Sequence, residues 1–247
     1  MTASPATLQS LSANGILAAL PRSEQQRLLP ELQCVALPLG YVVYDSGGPP
    51  DYMFFPASCI VSLVSTMENG MTAEVGLVGS DGAVGLAICL GGDTFPNRAV
   101  VQMEGKAIRI RARALQEEFK RGGMLQQRLL LYIQALLTQI SQTAVCNRLH
   151  SVEQRLCRWL LLWCDHANSP ELRMTQEFIA GMLGGRRQSV TLAARRLQSA
   201  GLIHYSRGFI RILDREGLEA ATCECSRVVK EEFKRLLVRA ANKSMGA

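Results

Sequence analysis

Charge, aromatic residues and histidine are all scarce in this chain. Charged residues occupy 19% of its 247 positions and aromatic ones 6%, against 48% hydrophobic. A chain that apolar can bury a core, which excludes a disordered protein, and its length suits one large domain or two modest ones. The three histidines, His150, His166 and His204, stand apart in the sequence, and nothing in their spacing supports a haem ligand. G-x-S-x-G, G-x-x-x-x-G-K-S/T, H-E-x-x-H and a helix-opening G-x-G-x-x-G are all missing, so no enzyme is expected.

The first residues, MTASPATLQSLSANG, have neither a basic start nor an apolar run. The best apolar stretch elsewhere, LCRWLLLWC, is short and interrupted by Arg158. Neither a secretory signal nor a bilayer span is expected, so the expectation is a cytoplasmic protein with no membrane partner. Eight cysteines are scattered along it: Cys34, Cys59, Cys89, Cys146, Cys157, Cys164, Cys223 and Cys225. In a reducing compartment they should be free. Cys223-Glu224-Cys225 is the one close pair, and a metal site normally needs four ligands, so no metal is expected. Cys146, Cys157 and Cys164 lie in apolar helical surroundings and read as small core residues, as do Trp159 and Trp163 one helical turn apart.

What charge there is divides unevenly. Met1 to Gly123 holds nine basic against eleven acidic residues, and Met124 to Ala247 eighteen against ten. A basic surface gains free energy by releasing counterions from phosphates, so the nucleic-acid signal belongs to the C-terminal half.

Short helices are expected at Asn14 to Leu20 and Ser23 to Leu32, broken by Pro21. From Leu32 to Ile110 the texture is brief apolar or alternating runs, among them Tyr41 to Tyr44, Ile60 to Ser65, Ala73 to Val78, Ala99 to Met103 and Ala107 to Arg111. Turn residues separate them, including Asn69-Gly70, a hairpin signal because both tolerate positive φ. Without helical crossovers these strands predict a sandwich or jelly roll and not a parallel sheet. A helix from Ala112 to Lys120 and a long one from Met124 to about Leu149 follow. In the latter, Leu129, Ile133, Leu136, Ile140 and Thr143 recur at spacings of four and three, a heptad seam expected to join two copies. The alternative is a helix packed on its own domain.

Thr175 to Ile212 is the most informative stretch. A short helix from Thr175 to Leu183, a Gly184-Gly185 turn and a helix from Arg186 to Ala200 ending at Gly201 have the layout of a helix-turn-helix. Strands at His204 to Tyr205 and Phe209 to Leu213, around Ser206-Arg207-Gly208, would add a wing. Val190, Ala194 and Leu197 share one face of the second helix, and Gln188, Leu192, Arg195 and Ser199 the other.

TQEFIAGMLGGRRQSVTLAARRLQSAGLI followed by RGFIRILDREGLEAA resembles the helix-turn-helix, wing and final helix of the Crp/Fnr family of bacterial transcription regulators. The order of roll, long helix and winged helix extends that resemblance over nearly the whole chain. It implies an α+β fold: an N-terminal antiparallel β-roll of the jelly-roll, cyclic-nucleotide-binding-like type with flanking helices (1–123), a dimerisation helix (124–149) and a C-terminal winged helix-turn-helix domain with a final helix (150–247). It also implies a homodimer on double-stranded DNA, RNA polymerase as a partner if the protein activates, and a small-molecule or protein effector on the roll. The alternative is a β-roll interaction module whose vestigial DNA-binding domain binds without specificity.

Family members usually open the recognition helix with an arginine-glutamate pair and place a second arginine one turn on. Here those positions hold Arg187, Gln188 and Leu192. Arginine suits the O6 and N7 of guanine, glutamine the N6/N7 edge of adenine, and leucine only a thymine methyl or another apolar group. The expected base-reading set is Arg187, Gln188, Thr191, Leu192 and Arg195. Thr175, Arg186, Ser189, Arg196, Arg207 and Arg211 are expected on phosphates.

Cyclic-nucleotide-binding members supply a glutamate for the ribose and an arginine for the phosphate. The matching stretch places the effector pocket at Gly85, Leu86, Asn97, Arg98 and Ala99. Leu86 stands at the glutamate position, and Asn97 at the arginine position unless the register slips by one to Arg98. Losing the carboxylate removes a hydrogen-bond pair worth about 1.5–3 kcal/mol, so cyclic AMP is not the expected effector. Iron–sulfur members carry clustered N-terminal cysteines, whereas none precedes Cys34 here. The effector is left unidentified.

Overall fold

The computed structural model describes residues 3–92 and 94–238. They form two compact units, one of residues 3–63, 78–138 and 231–238, the other of residues 64–77 and 139–230.

Strand β1 (Ala3–Pro5) leads into three short helices, α1 (Leu8–Leu11), α2 (Gly15–Ala18) and α3 (Arg22–Leu28). The strands β2 (Leu32–Leu37), β3 (Val42–Tyr44), β4 (Tyr52–Pro56), β5 (Ile60–Thr66) and β6 (Thr72–Val78) follow. Helix α4 (Ala87–Leu90), strands β7 (Arg98–Met103) and β8 (Gly105–Arg111) and helix α5 (Ala112–Arg121) precede the long α6 (Met124–Leu149). One four-stranded sheet has the order β1-β2-β8-β4 and another β3-β7-β5-β6. Pairing in the first is antiparallel throughout, with Leu32 opposite Ile110 and Tyr52 opposite Arg111. Strands β1, β2 and β4 carry little alternation in sequence and were not among the expected runs; β1 and β4 are edges completed by pairing with β2 and β8.

Asn14 holds the helical start to the roll. It caps α2 by accepting from Ile16 and Leu17 N–H, and its amide donates to the carbonyls of Pro56 and Gly82, both at 2.9 Å. Every hydrogen-bonding position of this buried amide is used, which is what makes its burial tolerable. The same Gly82 lies under Tyr132 of α6, which is 1% exposed and meets Phe233 edge-on at 6.4 Å. Burial pushes the Tyr132 hydroxyl well above the usual phenol range.

Helix α6 has the bounds that its sequence predicts, but the expected seam needs correcting. Leu129, Leu136 and Thr143 are buried in the chain's own core, and Ile133 and Ile140 are half-buried. The exposed leucines lie one position on, Leu130 and Leu137. A helix apolar on more than one side offers several seams, and packing within the chain takes one of them. The expectation about bilayer spans is corrected too. Over its best window α6 has a mean hydropathy of 1.4, long and apolar enough by length and composition to cross a membrane. It nevertheless buries Arg128, which donates to the Leu237 carbonyl at 2.9 Å.

In the second unit the Asn69-Gly70 turn closes the β5–β6 hairpin as predicted, with Met67 N–H on the Met71 carbonyl at 2.8 Å and Gly70 at φ 79°. Helix α7 (Val152–Ala167) starts at a capping box between Ser151 and Gln154. Leu77 of β6 exchanges hydrogen bonds with the Gln139 side chain at 2.8 and 3.3 Å, and the Trp159 indole donates to Glu74 at 2.9 Å. The hairpin end is thereby fastened to α6 and α7. Strand β9 (Glu171–Arg173), helices α8 (Gln176–Met182) and α9 (Arg187–Ser199), strands β10 (Ile203–Ser206) and β11 (Phe209–Ile212), and helices α10 (Arg215–Ala221) and α11 (Glu224–Phe233) complete the described chain, which ends in a π-helical turn at Lys234–Val238.

A Cβ on Gly82 would run into the ring and hydroxyl of Tyr132. Gly82→Ala should therefore lower stability by about 1–3 kcal/mol through overpacking. In urea denaturation the loss should shrink when Tyr132→Leu is combined with it.

Candidate nucleic-acid interface

The interface is built on glycine turns and side-chain caps. Thr175 sits in extended backbone and its hydroxyl accepts from Phe178 N–H at 3.1 Å, starting α8. The chain then turns through Gly184, at φ 59°, with Gly185 N–H on the Ala180 carbonyl at 2.9 Å. Helix α9 ends in a Schellman motif: Gly201 at φ 74° gives its N–H to Gln198, and Leu202 gives its own to Leu197, both at 3.0 Å. Val190, Ala193, Ala194 and Leu197 are buried, so the apolar face of α9 fixes which face is outward.

Strands β10, β11 and β9 form an antiparallel sheet in the order β10-β11-β9. Ser206 pairs with Phe209 across a two-residue turn in which Arg207 (φ 48°) and Gly208 (φ 78°) are both left-handed, the geometry of a type I′ turn. Arg207 is thereby carried to the tip of the wing. The Gln198 side chain accepts from Tyr205 N–H at 2.7 Å and joins the wing to α9.

On the outward face Arg186, Arg187, Gln188, Leu192, Arg195 and Arg196 are exposed, and Ser189 and Thr191 half-buried. Leu192 is 52% exposed. The Thr191 hydroxyl faces the Gln176 side chain at 2.5 Å and the Arg187 carbonyl at 2.9 Å, and so holds α8 against α9. Arg187, Arg196 and Arg211 lie 3.8, 3.6 and 3.3 Å from Glu177, Glu153 and Glu171 respectively. Exposed pairs of this kind contribute about 0–1 kcal/mol, so a phosphate can displace the carboxylate. Arg186, Arg195 and Arg207 have no ion pair among the described residues.

The five expected effector residues lie in the first unit. Gly85, at φ 106°, approaches the Tyr52 carbonyl closely, and a Cβ there would stand 3.0 Å from that oxygen. Leu86 is buried at the start of α4. Asn97 precedes β7, Arg98 opens it 3.9 Å from Asp45, and Ala99 is buried. A cavity of about 290 Å³ in the same unit is lined by other residues, including Tyr41, Tyr44, Asp45, Tyr52 and Arg109. Arg109 stacks on the Tyr52 ring at 4.2 Å.

Residues 154–221 match the sequence profile of the Crp-like helix-turn-helix domain, and residues 34–121 that of the cyclic nucleotide-binding domain. The chain belongs to the Crp/Fnr family. Its fold is that of FixK2 from Bradyrhizobium japonicum, at 14% identity over 78% of this chain and 98% of that one, with a TM-score of 0.68. CLP of Xanthomonas campestris, described as a c-di-GMP responsive global regulator, is similar at 18% identity, 78% and 99% coverage and a TM-score of 0.66. A CRP-family transcriptional regulator from Thermus thermophilus is similar at 18% identity, 76% and 95% coverage and a TM-score of 0.64. Among curated protein sequences none matches significantly.

The protein is thus a Crp/Fnr-type transcription regulator with a helix-turn-helix DNA-binding domain and a β-rich domain of the cyclic nucleotide-binding fold. Regulators of this family bind DNA and usually act as dimers. One constellation in this Crp/Fnr chain is not signalled by its sequence. His150, isolated along the chain, and Cys146, expected in the core, converge with Cys223 and Cys225 in the second unit. The only available signals were two short spacings, Cys146 to His150 and Cys223 to Cys225, and nothing local shows that they meet.

The cap at Thr175 is open to direct measurement. Thr175→Ala should destabilise the protein by about 1 kcal/mol in chemical denaturation, because Phe178 N–H loses its partner.

Proposed function

We propose that this regulator acts in the cytoplasm as a homodimer that reads a DNA site through the N-terminal half of α9, under the control of an effector or partner on the β-roll. The observation that carries the reading is the outward face of α9 and the wing, where arginines without carboxylate partners flank an exposed Gln188 and Leu192. Arg187, Gln188, Thr191, Leu192 and Arg195 read bases, Thr191 also setting the angle of the helix. Thr175, Arg186, Ser189, Arg196, Arg207 and Arg211 hold phosphates. Gln188 and Leu192 select adenine and thymine where family members select with glutamate and arginine. The protein is a binder and not an enzyme, and it meets RNA polymerase if it activates.

Dimerisation uses the corrected stripe of α6, Leu130, Ile133, Leu137 and Ile140, again at heptad spacing. Recognition helices on two-fold related copies must lie about 34 Å apart to enter successive major grooves. An effector would act by shifting the population of α6 arrangements with that spacing. Leu86 in place of a glutamate argues against cyclic AMP. Gly85, Leu86, Asn97, Arg98 and Ala99 remain the proposed effector region, with Arg98 suited to an anion. A responder to c-di-GMP among the proteins of this fold makes cyclic dinucleotides worth including among the ligands tried.

Selection of DNA sites by the purified protein, followed by affinity measurements over a salt series, tests this reading. Gln188→Ala should lose about 1–3 kcal/mol of discrimination at one base pair per half-site. Arg207→Ala should weaken all sequences alike and reduce the salt slope by about 1. Equal losses on every sequence for both variants would refute the division of roles, and affinity without sequence selectivity would favour a vestigial DNA-binding domain.

Leu137→Glu should convert the dimer to a monomer in sedimentation analysis and abolish tight operator binding. A dimer that survives Leu130→Glu together with Leu137→Glu would overturn the proposed stripe.

A further inference from the structure

Cys146 lies in the last turn of α6, and His150 follows one helical turn on, its N–H still bonded to the Cys146 carbonyl at 3.1 Å. Both side chains therefore leave the same side of the chain. Cys223 immediately precedes α11, and Cys225 lies in its first turn. The four ligand atoms of these residues all lie within 4.8 Å of one another. The Cys146 and Cys223 sulfurs are 3.5 Å apart, and the Cys225 sulfur is 3.6 Å from His150 Nδ1. A tetrahedral ion with Zn–S bonds of about 2.3 Å and Zn–N bonds of about 2.0 Å spaces its ligands about 3.5–3.8 Å apart. An iron–sulfur cluster would spread its ligands around several metal atoms, wider than this group.

Two further features point to the same occupant. The other imidazole nitrogen, Nε2, faces the Glu224 carboxylate at 3.4 Å. That is the usual arrangement behind a metal-bound histidine, where an outer carboxylate fixes the ring and its tautomer. Beside the thiols, Arg155 and Arg158 are buried without an ion pair among the described residues. Arg155 donates to the Leu183 carbonyl and Arg158 to the Thr143 hydroxyl, both neutral acceptors. Buried guanidiniums call for an anion nearby. Three neutral thiols would not supply one, whereas three thiolates around a dication carry a net charge of minus one.

We propose that Cys146, Cys223 and Cys225, as thiolates, and His150 through Nδ1 bind one divalent ion of the zinc class in a closed tetrahedral site. Four protein ligands leave no open position, so the site is structural and not hydrolytic. It ties the end of α6 to the start of α11 around the winged helix-turn-helix. Without the ion, burial raises the Cys146 and Cys225 thiols, the latter to about 12, and ion binding must release the protons of the thiols that bind it.

The full-length protein, purified under reducing conditions, should hold one zinc per chain by elemental analysis. After chelation, cobalt(II) should restore one equivalent with the intense visible bands and thiolate charge transfer of a tetrahedral sulfur site. Cys146→Ser and Cys223→Ser should lose the ion, and Cys157→Ser and Cys164→Ser, buried thiols outside the group, should keep it. Glu224→Gln should retain it with affinity weakened about 10–100-fold. Wild-type protein that takes up no cobalt, or shows only weak octahedral bands, overturns the proposal, as does unchanged stoichiometry in the Cys146→Ser/Cys223→Ser variant. Should the serine variants fail to fold, the cobalt spectrum and stoichiometry of the wild type decide alone.

Discussion

The attachment of β6 to helices α6 and α7 is the constraint on which the second unit depends. Gln139 satisfies both backbone groups of Leu77, and the Trp159 indole is paired with the Glu74 carboxylate. These are buried polar groups with matched partners, so breaking one leaves another stranded in a low dielectric. They make the tip of a β-roll hairpin part of the same compact unit as the helix-turn-helix.

Within that unit the apolar face of α9 does the positioning and the polar face is left to recognition. Val190, Ala193, Ala194 and Leu197 bury one side, the Gly201 motif ends the helix, and Gln198 draws the wing against it. The arginines outside are loosely paired or unpaired among the described residues, so the proposed exchange of carboxylate for phosphate would cost little. Leu192 is the exception to a polar face, and the base-reading role proposed for it would pair it with a thymine methyl.

Charge is arranged differently inside. Arg155 and Arg158 are buried beside Cys146 with neutral acceptors only, and the sulfurs of Cys146, Cys223 and Cys225 cluster with His150. A metal thiolate site of net charge minus one would offset one of the two guanidinium charges, which lowers the cost of burying both.

Local chemistry was legible along the chain. The bounds of α6, the Asn69-Gly70 hairpin, the Thr175 cap, the Gly201 stop and the Arg207-Gly208 wing turn each depend on residues a few positions apart. The same locality carried the family resemblance and the roles it suggests for α9. Edge strands β1 and β4 escaped because their partners, β2 and β8, supply the pairing that their own pattern does not signal. The inward face of α6 was not legible because its apolar residues permit more than one seam, and only packing within the folded chain chooses among them. Cys146 and His150 are more than seventy residues from Cys223 and Cys225, and no spacing within either pair foretells the other. The amino-acid sequence by itself determined most of the elements, with their caps and turns, and which helix turns a basic face outward. Tertiary structure alone decided which helix face is buried and which distant thiols meet, because burial and ligand convergence are relations between segments and not properties of either one.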